Sequence, residues 1–456
     1  MSPETHAGFS SKLGGVLAAA GSAIGLGNIW RFPMQAGQNG GSAFILVYII
    51  CILCFGIPLL ISEFVIGRHA RANVGNAYRV LAPNTFWRYI GPFTVLIAFL
   101  ILCYYNVVAG WVLDYTYDAV VGNFALNPAD YGDANPYADN FINFVTNPWK
   151  PIICLVLFMA ATHYVVTRGV EKGIERFSKI LMPILCVIMI LLVIFALNMP
   201  GAEKGLSFLF SLKFEDITPS VVLSALAQCF YSLSLGMGIV TYASYFKKEA
   251  NLARTATSIA FMDTLVAILA GIIIFPAVFS VSGIEPQAGA SLVFISLPNV
   301  FNSALSSMPI LAWLMPVLFY GLLMVATITS CIFLHEVATA YVAENFGFTR
   351  HRAALIVSIF AIALGICCSL SMGIWSDFKI FDLNLFDLFD SVTAKIMLPV
   401  SGVLVCLFVG RKMTRKQLIT ELSSYGAIRV KFLGPLLFAV KYFAPLTIAL
   451  IMISQF

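Results

Sequence analysis

The stretch GSAIGLGNIWRFP, residues 21 to 33, places three glycines within seven residues inside an apolar run, followed closely by Asn28 and Arg31. Each glycine costs a helix interior about 0.5–1 kcal/mol relative to alanine, and a break inside hydrocarbon leaves backbone N–H and C=O groups unpaired. Two readings account for such a break. It is either a glycine-rich crossing that lets two helix backbones approach, or a place where freed backbone groups hold a ligand.

The surrounding chain decides the solvent. Of 456 residues, 60% are hydrophobic and 11% charged, which excludes an ordinary soluble domain and makes the lipid bilayer a partner. Apolar runs of about 20 residues can cross a core about 30 Å thick. They fall at 13–36, 42–66, 91–121, 151–167, 180–198, 218–245, 255–281, 310–342, 353–371, 386–409 and 435–454. The expected fold class is an all-α polytopic membrane protein with eleven transmembrane helices. The polar start MSPETHAGFSSK precedes a run too long for a signal h-region, so no cleaved signal peptide is expected.

Lys and Arg accumulate in cytoplasmic loops. Here Arg68, Arg71, Arg79 and Arg88 follow the second run, Arg168, Lys172, Arg176 and Lys179 the fourth, Lys247, Lys248 and Arg254 the sixth, and Arg411, Lys412, Arg415 and Lys416 the tenth. The alternate loops carry Asp130, Asp133, Asp139, Glu215, Asp216, Glu285, Asp377 and Asp382. The N-terminus is therefore expected on the cytoplasmic side of the cell membrane and the C-terminus outside. The net charge of +5 is an orientation signal, and without a basic cluster interleaved with aromatics no nucleic-acid partner is expected. The ten cysteines lie almost all in apolar runs and read as free thiols.

A second interruption, AQCFYSLSLGMGIVTYASY at 227–245, puts Ser232, Ser234, Gly236 and Gly238 at mid-depth in the sixth run. Broken helices five runs apart divide a single transporter domain, residues 1–456, into inverted halves of opposite topology at 11–198 and 218–409, with 435–454 outside the repeat. Such a pair of breaks puts a substrate site at the bilayer midplane, where half-helix N-termini face anions and freed carbonyls face cations. A channel would instead show repeated filter or charge rings, and none is present. An enzyme is not expected: HEVATAY at 335–341 has Thr339 where a zinc-protease helix carries its second histidine, and five scattered histidines give no metal site.

GSAIGLGNIWRFP, then QNGGSAFILVYI, GIPLLISEFVIGR, RGVEKGIERFSKILMP (168–183), SLSLGMGIVTYASY and VATITSCIFLHE (325–336) resemble the neurotransmitter:sodium symporters, particularly their bacterial amino-acid branch with the leucine-transporter fold. The likeness covers the first ten runs. It implies sodium-coupled import of an amino acid by alternating access.

The resemblance also implies site roles. One Na⁺ would lie among the Ala23 carbonyl, Asn28, Ser232, Asp263 and the substrate carboxylate. A second would lie among the carbonyls of Gly21, Ile24 and Ala326 and the hydroxyls of Thr329 and Ser330. Chemistry agrees: a hard cation needs several oxygens, and only unwound backbone with short hydroxyl side chains supplies them in hydrocarbon. Asp263 sits in a strongly apolar run and needs a counter-charge if ionised. Many animal members bind chloride nearby, and a fixed carboxylate would replace it, so chloride-independent transport is expected.

Gly25 stands where amine-transporting relatives carry an aspartate, leaving room for a carboxylate held by the amides of Gly25, Leu26 and Gly27 and by the Tyr105 hydroxyl, with Tyr104 left to packing. The amino group would meet carbonyls of Ala23 and of the 231–234 break, which includes Ser232, and the Ser234 hydroxyl. Ile101, Tyr231, Met237, Ser330 and Leu334 would wall a pocket for hydrophobic L-amino acids, aliphatic and aromatic. Arg31 and Asp390 would form the outer gate, with Gln228 nearby. Glu63 would brace both breaks. Glu344 keeps an inner-gate position, but relatives' Arg and Trp are replaced by His6 and Phe9. Gly173 and Pro183 flank the start of the fifth run, an ordinary helix start or a stretch able to unwind. The alternatives are a proton-coupled transporter of the same architecture, using Asp263 and Glu63, or an ion channel.

Overall fold

The computed structural model describes residues 8–126, 135–281, 292–305, 308–430 and 432–454. His6, Asp130, Asp133 and Glu285 lie outside the described residues. The helices in chain order are α1 Lys12–Ala23, α2 Gly27–Gln38, α3 Ser42–Ala70, α4 Val74–Leu81, α5 Phe86–Val121, α6 Pro136–Thr146, α7 Lys150–Thr167 and α8 Val170–Leu197. They continue as α9 Ala202–Phe210, α10 Pro219–Ser232, α11 Ile239–Ser244, α12 Leu252–Val278, α13 Leu292–Ala304, α14 Pro309–Phe346, α15 Arg350–Leu370, α16 Leu385–Lys412, α17 Arg415–Leu422 and α18 Leu433–Leu450. Among the described residues there is no strand beyond one isolated bridge, Ile380 to Leu383.

Nine of these helices are long and apolar enough to cross a membrane, or ten when α1 and α2, bent by 50°, are taken as one span. The remaining expected span, 218–245, consists of α10 and α11, of 14 and 6 residues, separated by a turn at 233–238. Gly236 and Gly238 hold φ of +72° and +101°, and Ser234 takes +52° without being glycine. Positive φ at these positions cannot continue a right-handed helix.

Side-chain caps start many of the elements. Ser11, Asn73, Asn135, Thr218, Asn251 and Thr349 each accept an N–H from the first turn of the helix they precede, which satisfies donors that a helix start leaves unpaired. The fifth span begins at Val170, ten residues before the expected 180. Its first turns carry Glu171, Lys172, Glu175, Arg176 and Lys179, polar enough to hide the helix from a hydropathy count. Further along α8, Ile180, Ile184, Val187, Ile190 and Ile194 remain exposed, a helical stripe facing lipid.

The broken spans lie at the centre. α1 packs against α8, α12 and α14, α10 against α3, and α11 against α3 and α14, so each break is walled by continuous helices.

Candidate functional site

The first break arises because the N–H groups that would close the next turn bond elsewhere. Gly25 N–H donates to Asn28 Oδ1 at 3.1 Å, Leu26 N–H to the Tyr105 hydroxyl at 3.2 Å, and Asn28 N–H to the Gly25 carbonyl at 3.1 Å. The carbonyls of Gly21, Ser22 and Ile24 thereby lose their i+4 partners. In the second break, Gly236 N–H donates to Glu63 Oε1 at 3.1 Å, which releases the Ser232 carbonyl, while Ser401 Oγ donates to the Gly236 carbonyl at 3.1 Å. Ser234 Oγ reaches across to the Ser22 carbonyl at 3.1 Å, so the two breaks touch.

Asn28, Ser232 and Asp263 meet where the breaks join, all three fully buried. Asn28 Nδ2 donates to Asp263 Oδ1 at 2.7 Å, to the Asp263 carbonyl at 3.0 Å and to Ser232 Oγ at 3.1 Å. Ser232 Oγ and the Tyr48 hydroxyl donate to Asp263 Oδ2 at 2.7 and 3.2 Å. Every one of these partners can act as a donor, a shell that suits an ionised carboxylate. Tyr48 was not among the expected residues. It sits in an unbroken apolar stretch of α3, and only the fold aims its hydroxyl at Asp263.

The residues of the second expected ion cluster come from the end of α1 and from α14. Thr329 Oγ1 donates to the Ala326 carbonyl at 2.9 Å, leaving its lone pairs free. A Cβ added to Gly21 would lie 3.3 Å from Thr329 Cβ and 3.2 Å from Met182 Sδ. A Cβ on Gly25 would collide with Ser330 Oγ and lie 2.9 Å from the Tyr105 hydroxyl. Glycine is thus required for the close approach of the first break to α14.

A cavity of about 30 Å³ lies beside these groups, lined by Ala23, Gly25, Gly27, Ile101, Tyr105, Tyr231, Ser234, Met237, Ser330 and Leu334, with Ser22 and Phe333 in addition. Leu26 contributes its N–H to Tyr105 and faces a neighbouring cavity, about 130 Å³, with Trp30, Arg31, Tyr104, Tyr231 and Asp390. Tyr104 therefore faces this cavity instead of serving only as packing.

The expected gates differ in detail. Arg31 and Asp390 line common cavities but form no ion pair within 4.0 Å; the Arg31 guanidinium lies over the Tyr231 ring at 4.4 Å. Gln228 Nε2 donates to the Gly27 carbonyl at 2.8 Å, tying α10 to α2 and leaving the gate pair alone. Glu63 reaches only the second break. Glu344 accepts from the amides of Asn73 and Asn76 and has no cationic partner among the described residues.

Other residues make the contacts around the start of α1. Phe9 packs edge-on against Tyr242 and Tyr245, with centroids 5.9 and 5.8 Å apart. Glu175, buried at the start of α8, accepts from the backbone and hydroxyls of Ser10 and Ser11 at 2.6–3.1 Å and pairs with Lys179 at 2.6 Å. Glu336 accepts from the Tyr245 hydroxyl at 2.7 Å and pairs with Arg350. Gly173 sits inside a wide helical turn, 170–175, where an added Cβ would strike the Val165 carbonyl, and Pro183 lies within α8. This end of α8 is wound.

All ten cysteines are free, and among the described residues no three His, Cys, Asp or Glu side chains cluster as a metal site.

A profile of the Sodium:neurotransmitter symporter family matches residues 6–136 and 138–456. YhdH, an uncharacterized sodium-dependent transporter of Bacillus subtilis (strain 168), is 36% identical over 457 residues, covering 100% of this chain and 98% of its own length. The sodium-dependent neutral amino acid transporter B(0)AT3 of Mus musculus is 31% identical over 302 residues, covering 61% of this chain and 48% of its own. The crystal structure of MhsT in complex with L-phenylalanine matches with a TM-score of 0.89 and 39% identity, over 99% of this chain and 100% of that one.

Proposed function

Because the chain belongs to the sodium:neurotransmitter symporter family, a family of membrane transporters and not enzymes, we propose that it couples Na⁺ entry to import of hydrophobic L-amino acids, aliphatic and aromatic, by alternating access. The observation that carries this reading is the junction of two broken helices at Asn28, Ser232 and Asp263, beside an apolar-walled cavity. The bound phenylalanine in MhsT supports the substrate class. The reading includes eleven spans in one domain, with residues 11–198 and 218–409 as inverted repeats, the N-terminus cytoplasmic and the C-terminus outside.

Two Na⁺ ions bind in this account. The first takes the Ala23 carbonyl, Asn28, Ser232, Asp263 and the substrate carboxylate; the second takes the carbonyls of Gly21, Ile24 and Ala326 with Thr329 and Ser330. Binding at the first site requires the Asn28 amide to turn over, because its nitrogen faces the acceptors. That turn presents Oδ1 to the ion and withdraws it from Gly25 N–H, which is then free for the substrate carboxylate. Ion and substrate thus become mutually dependent through one side chain. The carboxylate also meets Tyr105 and the amides of Leu26 and Gly27, the amino group meets Ala23 and Ser234, and Ile101, Tyr231, Met237 and Leu334 enclose the side chain.

Asp263 supplies the fixed negative charge, so transport is chloride-independent. Ser232 and Tyr48 donate to its carboxylate, and the likeness to sodium-dependent transporters favours Na⁺ over H⁺ coupling. Arg31 leaves Tyr231 to pair with Asp390 when substrate seals the outer side.

Equilibrium binding of radiolabelled L-phenylalanine and L-leucine to the purified protein tests the reading. Binding that rises with Na⁺ and is absent in K⁺ supports it, and binding indifferent to Na⁺ overturns it.

A further inference from the structure

A cavity of about 560 Å³ opens where α1 starts, between it and the beginning of α12. Lys12, Lys247 and Arg254 line it, with Glu249 as the one carboxylate on its wall. None of the three cations has a carboxylate within 4.0 Å among the described residues. Lys247 Nζ uses one of its three donors on the Ser10 carbonyl at 2.7 Å and keeps two. Ser11, Asn251, Thr255 and Ser258 add neutral polar groups, and Phe9, Val16, Phe246 and Ile428 give the cavity an apolar side. A free inorganic anion gains nothing from that apolar side.

The helix surfaces leading from the cations change character in a fixed order. Along α12, Arg254, Ser258, Phe261 and Leu265 follow one another at spacings of four, three and four residues, a single stripe. At 1.5 Å per residue the stripe spans about 16 Å, close to half of a hydrocarbon core about 30 Å thick. Phe261 is 67% and Leu265 42% exposed, and Leu13 on α1 is 64% exposed. Cations, then a hydroxyl, then exposed apolar side chains is the order of phosphate, ester and acyl chain in a phospholipid.

We propose that this cavity holds the headgroup of an anionic phospholipid of the cytoplasmic leaflet, with Lys12, Lys247 and Arg254 on the phosphate and an acyl chain along Phe261 and Leu265. The proposal rests on the membrane orientation given above. The occupant bridges α1 to α12 and to the loop after α11, and so braces the inner half of the first broken span against the rest of the protein. Juxtamembrane cations draw anionic lipid in this way, at about fivefold in affinity per Lys or Arg.

Titration of the purified full-length protein with phosphatidylglycerol or phosphatidylcholine, read by native mass spectrometry, tests it. The expected result is one retained phosphatidylglycerol, preferred at least about tenfold over phosphatidylcholine and not displaced by millimolar inorganic phosphate. The double variant Lys12→Gln/Arg254→Gln loses at least about tenfold in that affinity, whereas Arg415→Gln/Lys416→Gln, at exposed positions of α17, keeps it. If the double variant melts below the wild type before lipid is added, the single variants Lys12→Gln and Arg254→Gln are read in its place. Equal retention of both lipids, wild-type retention by the variants, an equal loss in the α17 variant, or displacement by phosphate would each overturn the assignment. Substrate binding measured without phosphatidylglycerol reports on the transport reading separately.

Discussion

Asn28 and Asp263, 235 residues apart in the chain, meet with the amide nitrogen 2.7 Å from a carboxylate oxygen at the junction of the two broken helices. A charge-assisted hydrogen bond contributes about 1.5–3 kcal/mol, and 1.36 kcal/mol is tenfold in an equilibrium constant. Asp263→Asn is therefore expected to weaken Na⁺-dependent substrate binding at least about tenfold. Since the fixed negative charge is also gone, chloride in place of gluconate should restore part of the loss in the variant and change nothing in the wild type. A variant with wild-type Na⁺ dependence would remove Asp263 from the ion site.

Gly25 is packed so closely against Ser330 and Tyr105 that a methyl group has no room. Overpacking costs about 1–3 kcal/mol, and here it strains Tyr105, assigned to the substrate carboxylate, and Ser330, assigned to the second Na⁺. Gly25→Ala should lower L-phenylalanine affinity by roughly tenfold or more while circular dichroism in the far ultraviolet stays unchanged. Unaltered affinity would place the carboxylate elsewhere.

Phe9 fills an aromatic pocket made by Tyr242, Tyr245 and Phe246. Phe→Ala in a packed core costs about 3–5 kcal/mol. Phe9→Ala should lower the melting temperature and raise hydrogen–deuterium exchange across 9–23 without raising it in α15. Unchanged exchange in α1 would show that Phe9 does not hold the inner side closed.

Much of this arrangement is legible in the sequence because glycine, asparagine and aspartate are conspicuous in apolar runs. The interruptions within 21–33 and 227–245 are readable for that reason, whereas the grouping of Asn28 with Ser232 and Asp263 and the cavity lining are implied only by the resemblance to the symporter family. What could not be read depends on pairings distant along the chain between residues that look ordinary alone. Tyr48 is one aromatic among many until the fold turns it toward Asp263. Glu175 reads as a charged loop residue, yet it is buried and clasps Ser10 and Ser11. The distance between Arg31 and Asp390 is set by how α2 and α16 lean, which no motif records.

Arg68, read from sequence only as an orientation charge, is fully buried and pairs with Glu421 of α17 at 2.6 Å. Burial pushes the Glu421 carboxyl up, but hydrogen bonds from His69, Arg68 and Tyr425 and the Arg68 charge outweigh it and hold the pKa below the ordinary 4.5. A carboxylate depressed on folding contributes stability that is present above the unfolded value and lost as pH falls through the folded one. Melting temperature should therefore fall as pH drops below about 4.5, and Glu421→Gln should flatten that dependence. The variant should also be less stable at pH 7, by about 3–5 kcal/mol for a broken buried pair. A variant with the wild-type pH profile would show that Glu421 does not link pH to stability.

Coupling itself is the claim on which the rest depends, and gradient-driven uptake measures it most directly. Proteoliposomes containing the purified protein, given radiolabelled L-phenylalanine, should accumulate it above equilibrium under an inward Na⁺ gradient, equally in chloride and gluconate, and should fail to do so with K⁺ alone or with a proton gradient. Accumulation driven by protons, or reached equally in K⁺, would contradict the account.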